Sequence, residues 1–141
     1  MKRNILLVIV VISIIIMSLS GCGNKLQKQA DKVAEKLEGT WTFTWDAPIG
    51  KMKVVFEFSN VDGNAGLVKE KQYMGGNLLQ IYTGVFGVSI QEDGIIDYTF
   101  TGKIGSNGSV ESLDSPFENT LSYTYEDGKL TLIYNDISVT K

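Results

Sequence analysis

The sequence has no histidine, one cysteine and two prolines among its 141 residues, and its one arginine is Arg3. Without histidine, no Ser-His or Cys-His pair is available to activate a nucleophile. Zinc and copper sites depend on histidine and cysteine ligands, so the same lack argues against a centre of that kind. One cysteine forms no disulfide within its own chain. The composition predicts a protein with no enzymatic activity, no cofactor and no metal.

Paired carboxylates are the remaining route to catalysis, because a glycosidase needs only two of them. Four acids fall within predicted strands: Glu57, Glu70, Asp97 and Glu126. Side-chain alternation places Glu57 and Asp97 opposite the aromatic residues, on the solvent face. A solvated outer surface accounts for such charges without catalysis, so we do not expect an enzyme.

The charge balance excludes a further class of partner. The chain holds 16 acidic and 13 basic residues, a net charge of -3. Removal of a leader containing Lys2 and Arg3 lowers the basic count by two, which brings the net charge to about -5. That balance repels phosphate backbones and anionic lipid headgroups. We therefore expect no nucleic-acid partner.

The start of the chain has the pattern of a secretory signal peptide. Lys2 and Arg3 are basic, residues 5–17 are apolar apart from one serine, and residues 18–21 are mostly small. A membrane-spanning helix needs about 20 apolar residues, so a shorter run is more typical of a signal core. The alternatives are an uncleaved transmembrane helix and an ordinary signal peptide with an incidental cysteine.

The segment Leu19-Ser20-Gly21-Cys22 resembles the lipobox of bacterial lipoproteins. In that family the cysteine is joined to diacylglycerol through a thioether and becomes the new N-terminus. The resemblance implies that residues 1–21 are a cleaved signal peptide and that Cys22 carries a palmitate-type lipid anchor. It also implies attachment to the cell membrane on the extracytoplasmic side. Two acyl chains give stable anchoring, at about 0.8 kcal/mol per buried methylene.

Residues 22–38 comprise the lipidated N-terminus and the segment that leads to the domain. Between residues 24 and 38 the apolar positions recur at helical spacing and share one stripe: Leu26, Ala30, Val33, Ala34 and Leu37. Gly39 follows as a helix stop. A disordered tether is the alternative, but an apolar stripe would have no role in one. The spacing predicts an amphipathic helix.

From Gly39 onward the apolar period changes from 3.6 to 2, which predicts half-buried antiparallel strands. Alternating runs occur at residues 41–45, 52–58, 96–100, 121–125, 130–134 and 137–139. Pairs such as Asp62-Gly63 and Asp127-Gly128 supply the tight turns between them. Residues 105–119 are long, polar and proline-containing, which predicts a loop with at most a short edge strand.

The pattern predicts that residues 39–141 form one all-β domain. Its architecture is expected to be an antiparallel up-and-down β-barrel of about eight short strands, since closure removes exposed edges. An open barrel and a β-sandwich are the alternatives.

Gly39-Thr40-Trp41 follows the predicted helix and opens the first strand. This placement resembles the Gly-x-Trp signature of lipocalins and of small lipocalin-like bacterial lipoproteins. The resemblance implies a lipocalin-like barrel in which Trp41 is a structural plug at one end. Lipocalins usually pack a late arginine against this tryptophan, and here Lys129 and Lys141 are the available substitutes. The domain is shorter than a full lipocalin, which implies a shallow or filled calyx.

Two functions follow for such a domain. The first is non-catalytic binding of a small hydrophobic ligand in an apolar cavity lined by aromatic side chains: Trp45, Phe56, Phe58, Tyr98, Phe100 and Tyr123. The second is a cell-surface protein-interaction or inhibitor module with a filled core, which would use the acidic segment 114–118 to meet another protein. The aromatic content of the interior favours packing for any single ring.

Overall fold

The structure, a computed structural model, describes residues 25–141. The predicted signal peptide and Cys22 lie outside the described residues. Within residues 25–141, no helix combines the length and the apolar character that crossing a bilayer requires.

One short helix, α1, precedes the sheet and covers residues 25–37 of the described chain. Its stripe is buried, with Ala30, Val33, Ala34 and Leu37 at 1% exposure or less. These four side chains join the same hydrophobic core as the strands. The prediction of an amphipathic helix is confirmed, because the sheet provides the surface that the stripe covers.

Eight antiparallel strands follow, connected in order along the chain. Their bounds are β1 Gly39–Ala47, β2 Gly50–Asp62, β3 Ala65–Met74, β4 Asn77–Val88, β5 Ile95–Ile104, β6 Val110–Glu126, β7 Lys129–Tyr134 and β8 Ile137–Thr140. They form one sheet in sequential order from β1 to β8. The prediction of an all-β, antiparallel, up-and-down domain of about eight strands is confirmed.

The sheet is not closed by hydrogen bonds. Strands β1 and β8 lie in contact, yet within residues 25–141 the strand pairing runs only from β1 to β8 and does not return to β1. Strands β7 and β8 are short, at 6 and 4 residues. The part of the sheet formed by β7 and β8 is therefore much shorter along the strand direction than the part formed by β2 to β6.

The predicted loop over residues 105–119 is wrong for most of its length. Pairing of β5 with β6 begins at Ile104 and Val110, so only residues 105–109 form a turn. Residues 114–120 are exposed on both faces of the strand. Backbone pairing with β5 holds residues 110–112 and 117–122, and residues 113–116 lie outside that register. No apolar alternation in the sequence therefore reveals the strand.

The sheet curls around one aromatic core. Phe56 of β2 lies 5.8 Å from Tyr98 of β5 and 5.3 Å from Tyr134 of β7, measured between ring centroids. Strands so far apart in sheet order meet only if the sheet bends back on itself. Register irregularities in the β2–β3, β3–β4, β4–β5 and β5–β6 pairs accompany this curvature.

The two ends of the curled sheet differ. Helix α1 lies at the end that contains the β2–β3 and β4–β5 turns, where Gln29 Nε2 donates to Asp93 Oδ1 at 2.8 Å and Asp31 approaches Gly63. We call this the helix end. The opposite end contains the β1–β2, β3–β4, β5–β6 and β7–β8 turns. No element within residues 25–141 crosses it, and we call it the open end.

Candidate functional site

The six aromatic residues predicted to line a ligand cavity occupy different environments. Phe56, Phe58, Tyr98, Phe100 and Tyr123 are at most 5% exposed and belong to the core. Four of them form one packed cluster, with 6.0 Å between the centroids of Phe56 and Phe58 and 5.1 Å between those of Tyr98 and Phe100. Their contact with a ligand stays a prediction, and their packing is that of a filled interior.

The other two members of the predicted set lie apart from this cluster. Tyr123 is at the helix end, where its backbone nitrogen donates to the Gly94 carbonyl at 2.9 Å. Trp45 is half-buried and faces the open end, 6.0 Å from the ring of Tyr134. Of the six, Trp45 is the one that an external molecule reaches directly.

Trp41 lies at the helix end and is fully buried. Its Nε1 donates to the carbonyl oxygen of Leu37 at 2.8 Å, which joins the last turn of α1 to β1. The Lys141 ammonium lies 4.4 Å from the centre of the Trp41 ring and also donates to the Thr40 carbonyl. Of the two lysines proposed as substitutes for an arginine, Lys141 is the one in contact with the tryptophan.

Toward the open end, side chains on the inner face change from buried to half-buried. This group, the open-end side chains, consists of Trp45, Met52, Gln72, Tyr82 and Tyr134. They follow the same alternation as the core residues but lie beyond its last packed layer. Sequence reasoning missed Met52, Gln72, Tyr82 and Tyr134 as site residues. Alternation predicted an inward position for Met52 and Tyr134 but gave no signal about which end of the sheet is covered, and no alternating run was identified around Gln72 or Tyr82.

Exposed apolar residues surround the open end. Ile49, Leu78, Leu79 and Val110 are 74%, 50%, 51% and 66% exposed. Each lies in or beside a turn at this end. Exposed apolar side chains that form a continuous patch on a small domain are typical of a binding surface.

Glu70 lies below the open-end side chains, on the inner face of β3. It is 4% exposed and is the one buried polar or charged residue in the described part of the chain. In the register of the sheet it stands between Phe56 of β2 and Tyr82 of β4. Gln72 Nε2 donates to its Oε1 at 2.5 Å.

Burial sets the protonation behaviour around Glu70. Desolvation raises the pKa of its carboxyl group, and the hydrogen bond from Gln72 offsets part of that rise. Desolvation also raises the pKa of the Tyr98 and Tyr134 hydroxyls, and the nearby Glu70 charge adds to both shifts. These three groups therefore interact electrostatically across the interior.

A surface pocket opens beside these residues. Its volume is about 570 Å³, and it lies between β6 and the β7–β8 turn: Trp45, Asn119, Thr120, Ser122, Ile133, Tyr134, Asn135 and Asp136 line it. Small-molecule sites usually occupy about 300 to 1,000 Å³. The short β7 and β8 strands create this gap, because β6 continues past the point where β7 ends.

The four acids considered for catalysis do not converge. Glu57 lies on the outer face, where its carboxylate is 2.6 Å from the Lys71 ammonium. Asp97 and Glu126 are exposed, and Glu70 faces the interior. The predicted outward positions of Glu57 and Asp97 are confirmed. Within residues 25–141 no group of three or more acids is arranged to hold a metal ion.

Comparisons of the chain with protein-family models, curated proteins and solved structures find no match. The resemblance to lipocalin-like lipoproteins therefore stays a prediction from the sequence.

Proposed function

We propose that this chain is a lipid-anchored, extracytoplasmic, lipocalin-like protein that binds a small apolar ligand at the open end of its sheet and does not act as an enzyme. One observation supports the proposal that the open end binds a ligand. The helix end is filled and covered, whereas the inner face at the open end keeps half-buried rings and a rim of exposed apolar residues. Closure of β1 onto β8 to complete a lipocalin-like barrel is part of this proposal.

The position of the anchor is compatible with ligand binding at the open end. Cys22 comes shortly before α1, and α1 lies at the helix end of the sheet. A membrane anchor at Cys22 would therefore hold the helix end toward the bilayer and point the open end away from it. Ligand would enter from the side facing away from the membrane.

Ligand binding is tested with an uncharged, apolar fluorescent probe and a fragment of residues 24–141. We expect saturable binding that weakens at least fivefold in Trp45→Ala, because the indole supplies contact area at the open end. Ile90→Ala is the matched control, since Ile90 is 40% exposed but lies in the β4–β5 turn at the helix end. Probe binding that is absent, or equal in all three proteins, contradicts the proposal.

The anchor is tested by substitution of Cys22. We expect Cys22→Ala to lose acylation and membrane retention, while Ser18→Ala, outside the four-residue motif, keeps both. Unchanged membrane retention of Cys22→Ala contradicts the lipobox interpretation and favours an uncleaved helix.

A specific observation favours a second function, the docking of a protein strand. Strand β6 extends over Val110–Glu126, but β7 pairs only with its last part, from Ser122 to Glu126. Within the described chain, residues 110–112 and 117–121 therefore pair with β5 on one side and with no strand on the other, while residues 113–116, which include Pro116, interrupt this edge. The unpaired edge that begins at Phe117 can accept a short extended peptide as an additional strand.

The charge of this edge indicates the partner. Glu111, Asp114 and Glu118 lie along residues 110–121, a segment with no lysine or arginine. The edge therefore suits an extended, lysine-rich segment of another protein and repels a second copy of itself. The nitrogen of Thr120 already donates to Asn119 Oδ1 at 2.9 Å, and Pro116 has no N–H to donate.

Strand docking is tested with a lysine-rich peptide of high β-propensity. We expect binding that weakens with added salt and is lost when Asp114 and Glu118 are both replaced by Lys. Glu126→Lys is the control, because Glu126 lies in the part of β6 already paired with β7. Binding that ignores both salt and the double substitution contradicts this second function.

A further inference from the structure

The environment of Glu70 is unusual for a carboxyl group with a purely structural role. It is 4% exposed, yet the ion pairs within residues 25–141 involve Glu57 and Glu111 and none of them includes Glu70. Its neighbours in the sheet, Phe56 and Tyr82, are aromatic. Burying a carboxylate without a cation carries a large desolvation cost.

The fold gains little from an acid at this position. Glu70 caps no helix and occupies no turn. Within the described residues its side chain accepts one hydrogen bond, from Gln72, and a neutral amide oxygen would accept that bond equally well. A leucine or glutamine would fill the same space at lower cost. A buried acid that lowers stability next to the half-buried open-end side chains is a candidate for function.

One oxygen of Glu70 is available to a ligand. Gln72 occupies Oε1, and no fully buried side-chain oxygen or nitrogen in the described residues lacks a hydrogen-bond partner. Oε2 accepts no hydrogen bond from the described residues, and it therefore retains a small exposed area. Below Glu70 the next inward residue of β3 is Val68, which is 2% exposed, so the access is from the open end.

Aromatic residues flank Glu70 on both neighbouring strands. Phe56 packs edge to face against Tyr98 and Tyr134, with interplanar angles of 70° and 72°, and Tyr82 is adjacent in the register. Ring faces attract organic cations, and a desolvated carboxylate pairs with them. A hard metal cation needs further oxygen ligands or bound water to complete its shell, whereas the residues that flank Glu70 in the register are aromatic.

We propose that the open end binds an apolar amine, a molecule with a protonated amino group on a hydrocarbon body, and that Glu70 accepts a hydrogen bond from that amino group. The hydrocarbon body contacts Trp45 and Tyr134, and the ammonium group lies near Glu70 Oε2. This inference rests on the proposed function of the open end, because it names the chemical class of the ligand bound there.

The test compares two ligands that differ only in the head group, an alkylamine and the alkanol of the same chain length. Each is titrated against the full chain in nanodiscs of zwitterionic lipid, with empty nanodiscs subtracted to remove partitioning into lipid. We expect the amine to bind at least about tenfold more tightly than the alcohol, the range of one charge-assisted hydrogen bond.

Two variants test whether Glu70 causes the preference for the amine over the alcohol. Glu70→Gln keeps the size of the side chain and its bond with Gln72, so we expect it to fold, to bind the alcohol as before and to lose the preference for the amine. Glu57→Gln, which removes an acid from the outer face, is the matched control and should keep that preference. Circular dichroism and thermal unfolding of each variant check the fold.

The outcomes separate this inference from the proposed function. Equal binding of amine and alcohol by the unmodified chain overturns the amine proposal and leaves apolar binding intact. A preference that persists in Glu70→Gln overturns the role of Glu70. Failure of both ligands to bind overturns the proposal together with the proposed function of the open end.

Discussion

The substitution Trp41→Phe tests how the helix is joined to the sheet. Trp41 is fully buried, its Nε1 donates to the Leu37 carbonyl at 2.8 Å, and Lys141 lies 4.4 Å from its ring. Phenylalanine retains an aromatic ring at this position but removes the hydrogen bond and the second ring of the indole. The change therefore weakens three interactions that meet at the helix end.

The magnitude follows from those three interactions. The lost hydrogen bond contributes about 1 kcal/mol. The smaller ring buries roughly two fewer methylene equivalents, at about 0.8 kcal/mol each. A weaker contact with the Lys141 ammonium removes about 0.5 kcal/mol. Together these give about 3 kcal/mol, a large part of the roughly 5 to 15 kcal/mol by which domains are stable.

The assay is urea unfolding of a fragment of residues 24–141, followed by circular dichroism. We expect the free energy of unfolding to fall by about 3 kcal/mol with an unchanged dependence on urea concentration. Trp45→Phe is the matched control: Trp45 is half-buried, and within the described residues its indole donates no hydrogen bond. We expect that change to cost about 1 kcal/mol or less. Equal losses in the two variants would refute the role of Trp41 as a plug.

Three further predictions concern the interior. Phe56→Ala removes a fully buried ring that contacts four aromatic neighbours, so we expect a loss of about 3 to 5 kcal/mol in urea unfolding; less than 1 kcal/mol would contradict a filled core. Gly84→Ala directs a methyl group into the Thr99 carbonyl at the β4–β5 irregularity, so we expect a loss of about 1 to 3 kcal/mol, and an unchanged midpoint would show that this close approach is absent. Burial raises the pKa of Glu70 in the folded chain, so the folded state holds this proton more tightly than the unfolded state. Its contribution to stability is therefore full below the pKa of the unfolded chain and is lost as pH rises through the raised pKa. Glu70→Gln should remove that part of the pH dependence in unfolding experiments, and an identical pH profile would contradict a buried carboxyl.

Local sequence patterns were sufficient to predict most of the elements. The stripe from Leu26 to Leu37 identified α1, because helical spacing and burial of one face are linked by geometry. Alternation identified β1, β2, β5, β7, β8 and the last part of β6 for the same reason, whereas no alternating run marked β3 or β4. The loop predicted over residues 105–119 was wrong for most of its length, since residues 114–120 are exposed on both faces and, within the described chain, only β5 pairs with this part of β6.

The candidate site depended on relations that no local pattern records. Glu70 appeared in the sequence as one acid among four, and only the register placed it between Phe56 and Tyr82 on the inner face. The predicted cavity residues were correctly expected to face inward. Helix α1 covers one end of the sheet, so the residues at that end pack in the core and those at the other end meet solvent. This difference arises from contacts between segments that are distant in sequence.

The sequence by itself determined the anchor prediction at Cys22, the all-β class, the amphipathic helix and the inward alternation of aromatic residues. Each depends on residues close together in the chain, whose spacing has direct geometric meaning. Only the tertiary structure decided three properties of residues 25–141: the strand pairing does not return from β8 to β1, one end is filled and the other open, and Glu70 is buried without an ion pair to any described lysine. Those properties arise from the curl of the sheet and the packing of distant strands, which side-chain periodicity does not encode.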